Sequence, residues 1–314
     1  MPMNFSKHFV SLTGRILAGA LLLSVVAGFV YTSWARETAD AAAIASGLAG
    51  ENGEIRLVPH KAFYKLQMTS SAPMSDVNNV SGEMAFSWNK DCEGWTADHR
   101  FNLLYEYTSN PGVRMTSDFS TFEALDGSRF EFVSTKRRDG EIIEHYRGSA
   151  ELDAKGNGQA TYREGDVVTK LPLDAARFPM EHTVEMIRAA REGKKFFTAT
   201  VFDGSEKDGA IIINGVILDK GANAGVTHVS TALQKSPVEK KAFARNPLLQ
   251  IPSHLIRLAF FKMGQDSAEP DYEMTVRLYE NGIITHMDID YDTFSVSQSL
   301  LALEPVTTPS CPKE

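Results

Sequence analysis

Apolar and polar residues alternate with a period of two through most of this chain. Alternation resumes after Asp126-Gly127 and again after Asp139-Gly140. The pattern predicts a meander of Ser117–Leu125, Arg129–Lys136 and Glu141–Leu152 joined by primed turns. Glycine reaches the positive φ of such turns without a Cβ clash. Lys155-Gly156-Asn157-Gly158 turns the chain into Gln159–Arg163, and Gly165-Asp166 leads on to Val167–Leu171. Upstream, Ala62–Met68, Gly82–Trp88 and Trp95–Thr108 have the same character. "SHLIRLAFFKM" fits helix and strand, and its period of two favours strand.

The clearest hairpin is "YEMTVRLYENGIITHMDIDY". With Asn281-Gly282 as its loop, Met274 faces Ile289, Val276 faces Met287 and Leu278 faces Thr285, giving one apolar face. Arg277 then faces His286, Thr275 faces Asp288, and Glu273 meets Asp290, a mildly unfavourable pair. Helix is scarce. "FPMEHTVEMIRAAREGKKFF" predicts one, entered at Pro179, with Val184, Ile187 and Ala190 on one face and a stop at Gly193. Thr38–Leu48 is a second, alanine-rich candidate. Residues 203–225 are glycine-rich and read as a mobile excursion. No repeat, linker or compositional break divides the chain, so one all-β, antiparallel domain over 58–314 follows a helical or linker segment at 36–57.

The N-terminus changes how the rest is read. A basic start, an apolar run from Ile16 to Tyr31 and small residues after it predict an export signal over 1–35, cut after Ala35 or alternatively after Ala41. An uncleaved anchor is the other reading, and both place the remaining chain outside the cytoplasm. The whole chain carries a formal net charge of −8, and the charged residues that the cut after Ala35 removes, Lys7 and Arg15, are both basic. An acidic chain without a basic stripe disfavours nucleic acid as a partner. Two cysteines in an oxidising compartment predict a disulfide between Cys92 and Cys311. Two ligands make a poor zinc site, and no C-x-x-C is present.

Catalytic signatures are absent: no nucleophile elbow, phosphate loop, H-E-x-x-H or dinucleotide fingerprint occurs. His286, Asp288, Asp290 and Asp292 share one strand face and are candidate metal ligands. A straight strand spaces them too widely to converge, so a solvated face is the preferred reading. Glu181-His182 at the helix start is either an acid–base pair or an acid placed by the helix dipole. Trp88 and Trp95 flank Cys92 and are expected to pack as core beside the disulfide. Phe260-Phe261 and Phe196-Phe197 are candidate cavity residues, one member of each pair per face.

Several anchors occur in order: "HKAFYKLQM", "CEGW", "LDGSRFEF", "YRGSAEL", "FPMEHTVEMI", "VFDGS", "PDYEMTVRLYENGI", "DIDYDTFSV" and the near-terminal cysteine. Together they resemble the cell-envelope integrity family typified by EipB, long catalogued as a domain of unknown function. The resemblance runs from about residue 58 to Cys311. It departs at "HLIRLAFF", where the family often carries tryptophan-containing aromatic residues. It implies a periplasmic protein of Gram-negative bacteria that supports envelope integrity. The implied fold is an antiparallel β-spiral or half-barrel with an N-terminal helix, similar to periplasmic lipid and lipoprotein carriers, and the implied disulfide falls on Cys92 and Cys311. No catalytic residue, metal or cofactor comes with it. The expected partner is an envelope protein, such as a periplasmic tetratricopeptide-repeat protein, or an apolar ligand. The leading expectation is therefore a non-enzymatic binding or scaffold protein. A lipid or lipoprotein carrier comes second, and an envelope hydrolase with His182 as its first candidate histidine comes third.

Overall fold

The computed structural model describes residues 54–73, 75–218, 246–264 and 267–311. The expected export signal, the candidate helix at 38–48, the 36–57 segment up to residue 53 and residues 219–225 lie outside them. One sheet of 15 strands organises the chain, in the order β8-β7-β6-β5-β4-β3-β2-β1-β15-β14-β13-β12-β11-β10-β9. Strand β1 (His60–Ser71) lies in its middle. An outgoing arm follows: β2 (Val77–Lys90), β3 (Gly94–Tyr107), β4 (Val113–Ala124), β5 (Arg129–Arg138), β6 (Glu141–Leu152), β7 (Gly158–Glu164) and β8 (Val167–Leu173). Helix α1 (Pro179–Arg191) follows the two-residue β9 (Ala176–Arg177). The returning arm is β10 (Phe196–Val201), β11 (Ile211–Leu218), β12 (Ser253–Lys262), β13 (Tyr272–Tyr279), β14 (Ile284–Asp290) and β15 (Phe294–Pro305), which pairs with β1. Neighbouring strands are antiparallel except β9 and β10.

This order forces a curl. The outermost strands β8 and β9 are separated only by Asp174 and Ala175. Three peptide steps span at most about 11 Å, so the two ends of the sheet must come together. They do: the Ala176 amide donates to the Gly156 carbonyl in the β6–β7 turn at 2.9 Å. The predicted spiral is thus a nearly closed, barrel-like sheet.

Three apolar clusters fill most of the concave side. Leu66, Val80, Leu103 and Val296 anchor one between β1–β3 and β15. Met186 and Ile187 of α1 pack against Ile213, Ile256 and Val276 in another. The third bolts the arms together. Phe202, just past β10, sits among Phe130, Phe132, Tyr162 and Phe178 with ring centroids 5.8–6.3 Å apart. The Tyr146 hydroxyl donates to the Ser205 carbonyl at 2.6 Å. Buried Lys136 pairs with Glu144 at 2.8 Å, and Lys207 bridges Glu144 and Glu164. The glycine-rich excursion expected over 203–225 is therefore fixed where described. Asp203-Gly204-Ser205 is clamped against β5–β7, and Ile211–Leu218 is strand β11.

The predicted hairpin register holds from Glu273↔Asp290 to Arg277↔His286. A bulge then sets Leu278 opposite Ile284 instead of Thr285, because the turn closes with the Tyr279 amide donating to Ile283. The Asp139-Gly140 turn has both residues at positive φ (50° and 91°), as a primed turn needs. At Asp126-Gly127 only the glycine does. There the Asp126 carboxylate accepts from the Ser128 amide and hydroxyl, which holds a longer loop. Cys92 and Cys311 are joined, Cα–Cα 5.5 Å, at the β2–β3 tip. Both are exposed, so the disulfide lies outside the core that the two tryptophans enter.

Three substitutions probe these contacts by denaturant unfolding. A Cβ on Gly204 (φ 70°) would lie 2.6 Å from the Phe132 ring, whereas one on Gly127 (φ 69°) would meet nothing within 4 Å. Gly204→Ala is expected to cost about 2–5 kcal/mol and Gly127→Ala only the left-handed strain of about 1–2 kcal/mol. Cys311→Ser is expected to cost about 2–4 kcal/mol with unchanged far-ultraviolet circular dichroism.

Candidate functional site

Between the three clusters the sheet leaves a cavity of about 340 Å³. Strand alternation builds its walls, since every second side chain points into the curl. Strands β1–β3 supply Leu66, Met84 and Phe101. On the other arm β12–β14 supply Phe260, Met274, Met287 and Ile289. The first turns of α1 add Pro179, Met180, Thr183 and Met186. Trp88 and Trp95 both line this space, their rings 5.0 Å apart, and Phe260 stacks on Tyr272 at 4.3 Å. Phe261 takes the opposite strand phase and is not in the wall. Phe196 is 73% exposed, and Phe197 packs toward His182 at 6.2 Å.

A few polar groups interrupt the apolar wall. Glu123 of β4, only 4% exposed, accepts a hydrogen bond from the Met180 amide at 3.0 Å. It thereby caps α1, whose N-cap residue Phe178 has no side chain able to do so. Burial pushes the Glu123 carboxyl up to about 8, although these backbone bonds favour its charged form. Burial lowers His60 and His99 to about 4, leaving both rings neutral. The His60 Nδ1 donates to the Val58 carbonyl at 2.8 Å. The His99 Nδ1 is buried without a partner among the described residues. Asp203 also lines the cavity. Burial raises its carboxyl while the Ser205 amide and hydroxyl hold it.

The acidic strand has a different fate from the one its pattern suggests. His286 and Asp288 are 7% and 5% exposed, so theirs is no solvated face. Strand β14 runs between β13 and β15, whose small polar side chains pack beside them. His286 bonds Asp288 (3.2 Å), Ser299 (3.1 Å) and Ser297 (3.4 Å). Asp290 pairs with Arg257, and Asp292 lies beyond the strand. No metal cluster forms among the described residues. None of this hydroxyl–imidazole–carboxylate set lines the cavity, whereas its strand neighbours Met287, Ile289 and Gln298, of opposite phase, do. His182 is buried, its Nε2 has no partner among the described residues, and Glu181 pairs with Arg177 at 3.2 Å. These neighbours do not form an acid–base pair.

Glu123, His99 and His60 are site residues that sequence reasoning passed over. A signal existed: each holds the inward phase of a strand, as in Val113, Met115, Phe119, Glu123, where apolar residues are expected.

These groups set a pH dependence. Glu123 is raised when folded, so the stability it confers is present below the ordinary carboxyl range and lost as pH rises through about 8. His60, His99 and His182, each lowered from 6.5 to about 4 by burial, act in the opposite sense, and their contribution is lost as pH falls from 6.5 towards 4. Glu123→Gln is therefore expected to gain stability relative to the wild type between pH 5 and pH 8, by at most about 1.4 kcal/mol per pH unit in chemical denaturation.

A sequence model of the EipB-like family matches residues 51–307. The cell envelope integrity protein EipB of Brucella abortus (strain 2308) is 27% identical over 269 residues, covering 82% of this chain and 88% of that protein. The crystal structure of a β-barrel-like protein of a domain of unknown function from Brucella abortus is similar with a TM-score of 0.67 and 28% identity. That match covers 81% of this chain and all of the other, 100%. The sequence match over most of the chain and the shared curled sheet lead to one conclusion: this chain belongs to the EipB-like family.

Proposed function

We propose that this chain is a non-enzymatic periplasmic protein of the cell envelope that binds an apolar ligand inside its curled sheet. The observation that carries the reading is the cavity of about 340 Å³, within the size range of small-molecule sites and walled mainly by apolar side chains. A sheet evolved only to be stable would close such a space, because each unfilled methyl-sized gap costs about 1 kcal/mol. The envelope setting draws support from the name of the Brucella relative, and the disulfide and the export signal expected over 1–35 support the periplasm. The apolar interior is the common ground with a lipid or lipoprotein carrier. The absence of a catalytic role draws support from the Ser299–His286–Asp288 set, which lies outside the cavity.

A second reading, a scaffold for an envelope partner such as a tetratricopeptide-repeat protein, is favoured by strand β8. It is an outermost strand of the sheet, and its Val167 and Val168 are 66% and 44% exposed. A partner could add a strand there. Lys170 and Pro172 blunt the rest of that edge, which limits the addition to the Val167 end.

Native mass spectrometry of gently extracted exported protein is expected to show a bound apolar molecule, and a purely apo mass would overturn the binding reading. Ala97 lies in the wall on β3, and Ala97→Trp, which fills the cavity, is expected to weaken ligand binding at least about tenfold while the fold is kept. A photo-crosslinking residue at Val168 is expected to capture a partner in cells if the second reading holds.

A further inference from the structure

Three polar side chains of the cavity wall stand on two paired strands, apart from His60, Asp203 and Gln298 on other elements. On β3, Trp95, Ala97 and His99 face inward at every second position. On β4 their direct partners are Glu123, Thr121 and Phe119. An imidazole, a hydroxyl and a carboxyl therefore stand side by side across two paired strands. The His99 ring offers a buried Nδ1 that no described protein group satisfies. The carboxyl of Glu123 is held at the first turn of α1. Among the described residues, no lysine or arginine lines the cavity. Lys136 pairs with Glu144 and Glu206, Arg177 pairs with Glu181 and Glu185, and Lys90 stands over the Trp95 ring, 5.4 Å from its centroid, without lining the cavity.

We infer that the cavity selects an uncharged amphiphile, an acyl chain ending in a neutral head of hydroxyl and ester groups, with that head on the His99–Thr121–Glu123 strip. The inference rests on the apolar-ligand reading above and adds to it the chemistry of the head. A fatty carboxylate or a phosphate head would bring a negative charge beside the Glu123 carboxyl, in a cavity that Asp203 also lines and no lysine or arginine lines, and burying an unpaired charge is costly. A cationic head on this strip would require the buried Glu123 carboxyl, raised to about 8, to ionise in an apolar wall. A neutral head meets none of these costs. It can accept from the protonated Glu123 and donate to His99. The tail follows the wall formed by Met84, Phe101, Leu103, Ile289 and Val296. At neutral pH the strip carries no net charge, because burial holds Glu123 at about 8 and His99 at about 4.

Trp88 and Trp95 line the cavity and report on it directly. The exported chain is titrated with a 1-monoacylglycerol brominated in mid-chain, and tryptophan quenching is followed. Unbrominated monooleoylglycerol, oleate and oleylamine then compete at pH 7. Quenching is expected, with monooleoylglycerol displacing the probe at a concentration at least about tenfold below either charged competitor. Oleate is expected to weaken about tenfold per pH unit from pH 6 to 7.5, because it must enter with a proton. Monoacylglycerol affinity is expected to hold over that range and to fall above about 8 in the wild type but not in Glu123→Gln, which cannot ionise. Equal or stronger binding of oleate or oleylamine overturns this inference and leaves the apolar-ligand reading standing. A probe that never quenches overturns both.

Discussion

Two residues, Asp174 and Ala175, separate the outermost strands of a sheet 15 strands wide, and most of the architecture follows from that short connection. A chain that leaves one edge of a sheet and enters the other edge three peptide steps later cannot form an open, flat layer. The strands must roll until the edges meet, and rolling gives the sheet an inside. The aromatic group around Phe202 and the ion pairs of Lys136 and Lys207 then hold the arms in that position. Burying each large aromatic side chain contributes about 1.5–3 kcal/mol. The bolt is therefore strong enough to keep a wide sheet curled.

A curl of this width encloses more space than its own inward side chains fill. Helix α1, which enters the interior directly after the edge-to-edge connection, takes up part of the excess through Met186 and Ile187. The remainder is the cavity. Placing a helix end inside a sheet also leaves backbone amides without partners, and Glu123 answers that need from the opposite wall. The same carboxyl thus supports the fold and supplies the cavity with a polar group. Because it is buried, it tends to keep its proton at neutral pH.

The disulfide acts at a different level. The tail after β15 crosses the start of β1, where the Val306 amide donates to the Pro59 carbonyl at 3.0 Å, and ends at the β2–β3 tip. It ties down a chain end beside strands already paired, and it lies outside the apolar interior. Its contribution is to stability against unfolding more than to the shape of the cavity.

The sequence by itself determined the strands from β1 to β8, helix α1, the disulfide partners and most of one hairpin register. Each of these depends on local periodicity, turn chemistry or cysteine number, which are written along the chain. Tertiary structure alone decided that Trp88, Trp95 and Phe260 share a cavity while Phe261 does not, and that Asp203-Gly204-Ser205 is a clamp where its composition suggested mobility. It also decided that His286 and Asp288 are buried among neighbouring side chains. The inward phase of Glu123 was legible, but its task was not. A helix end placed opposite it by the curl of the whole sheet gives that carboxyl its role, and no local pattern encodes a contact between residues brought together by closure.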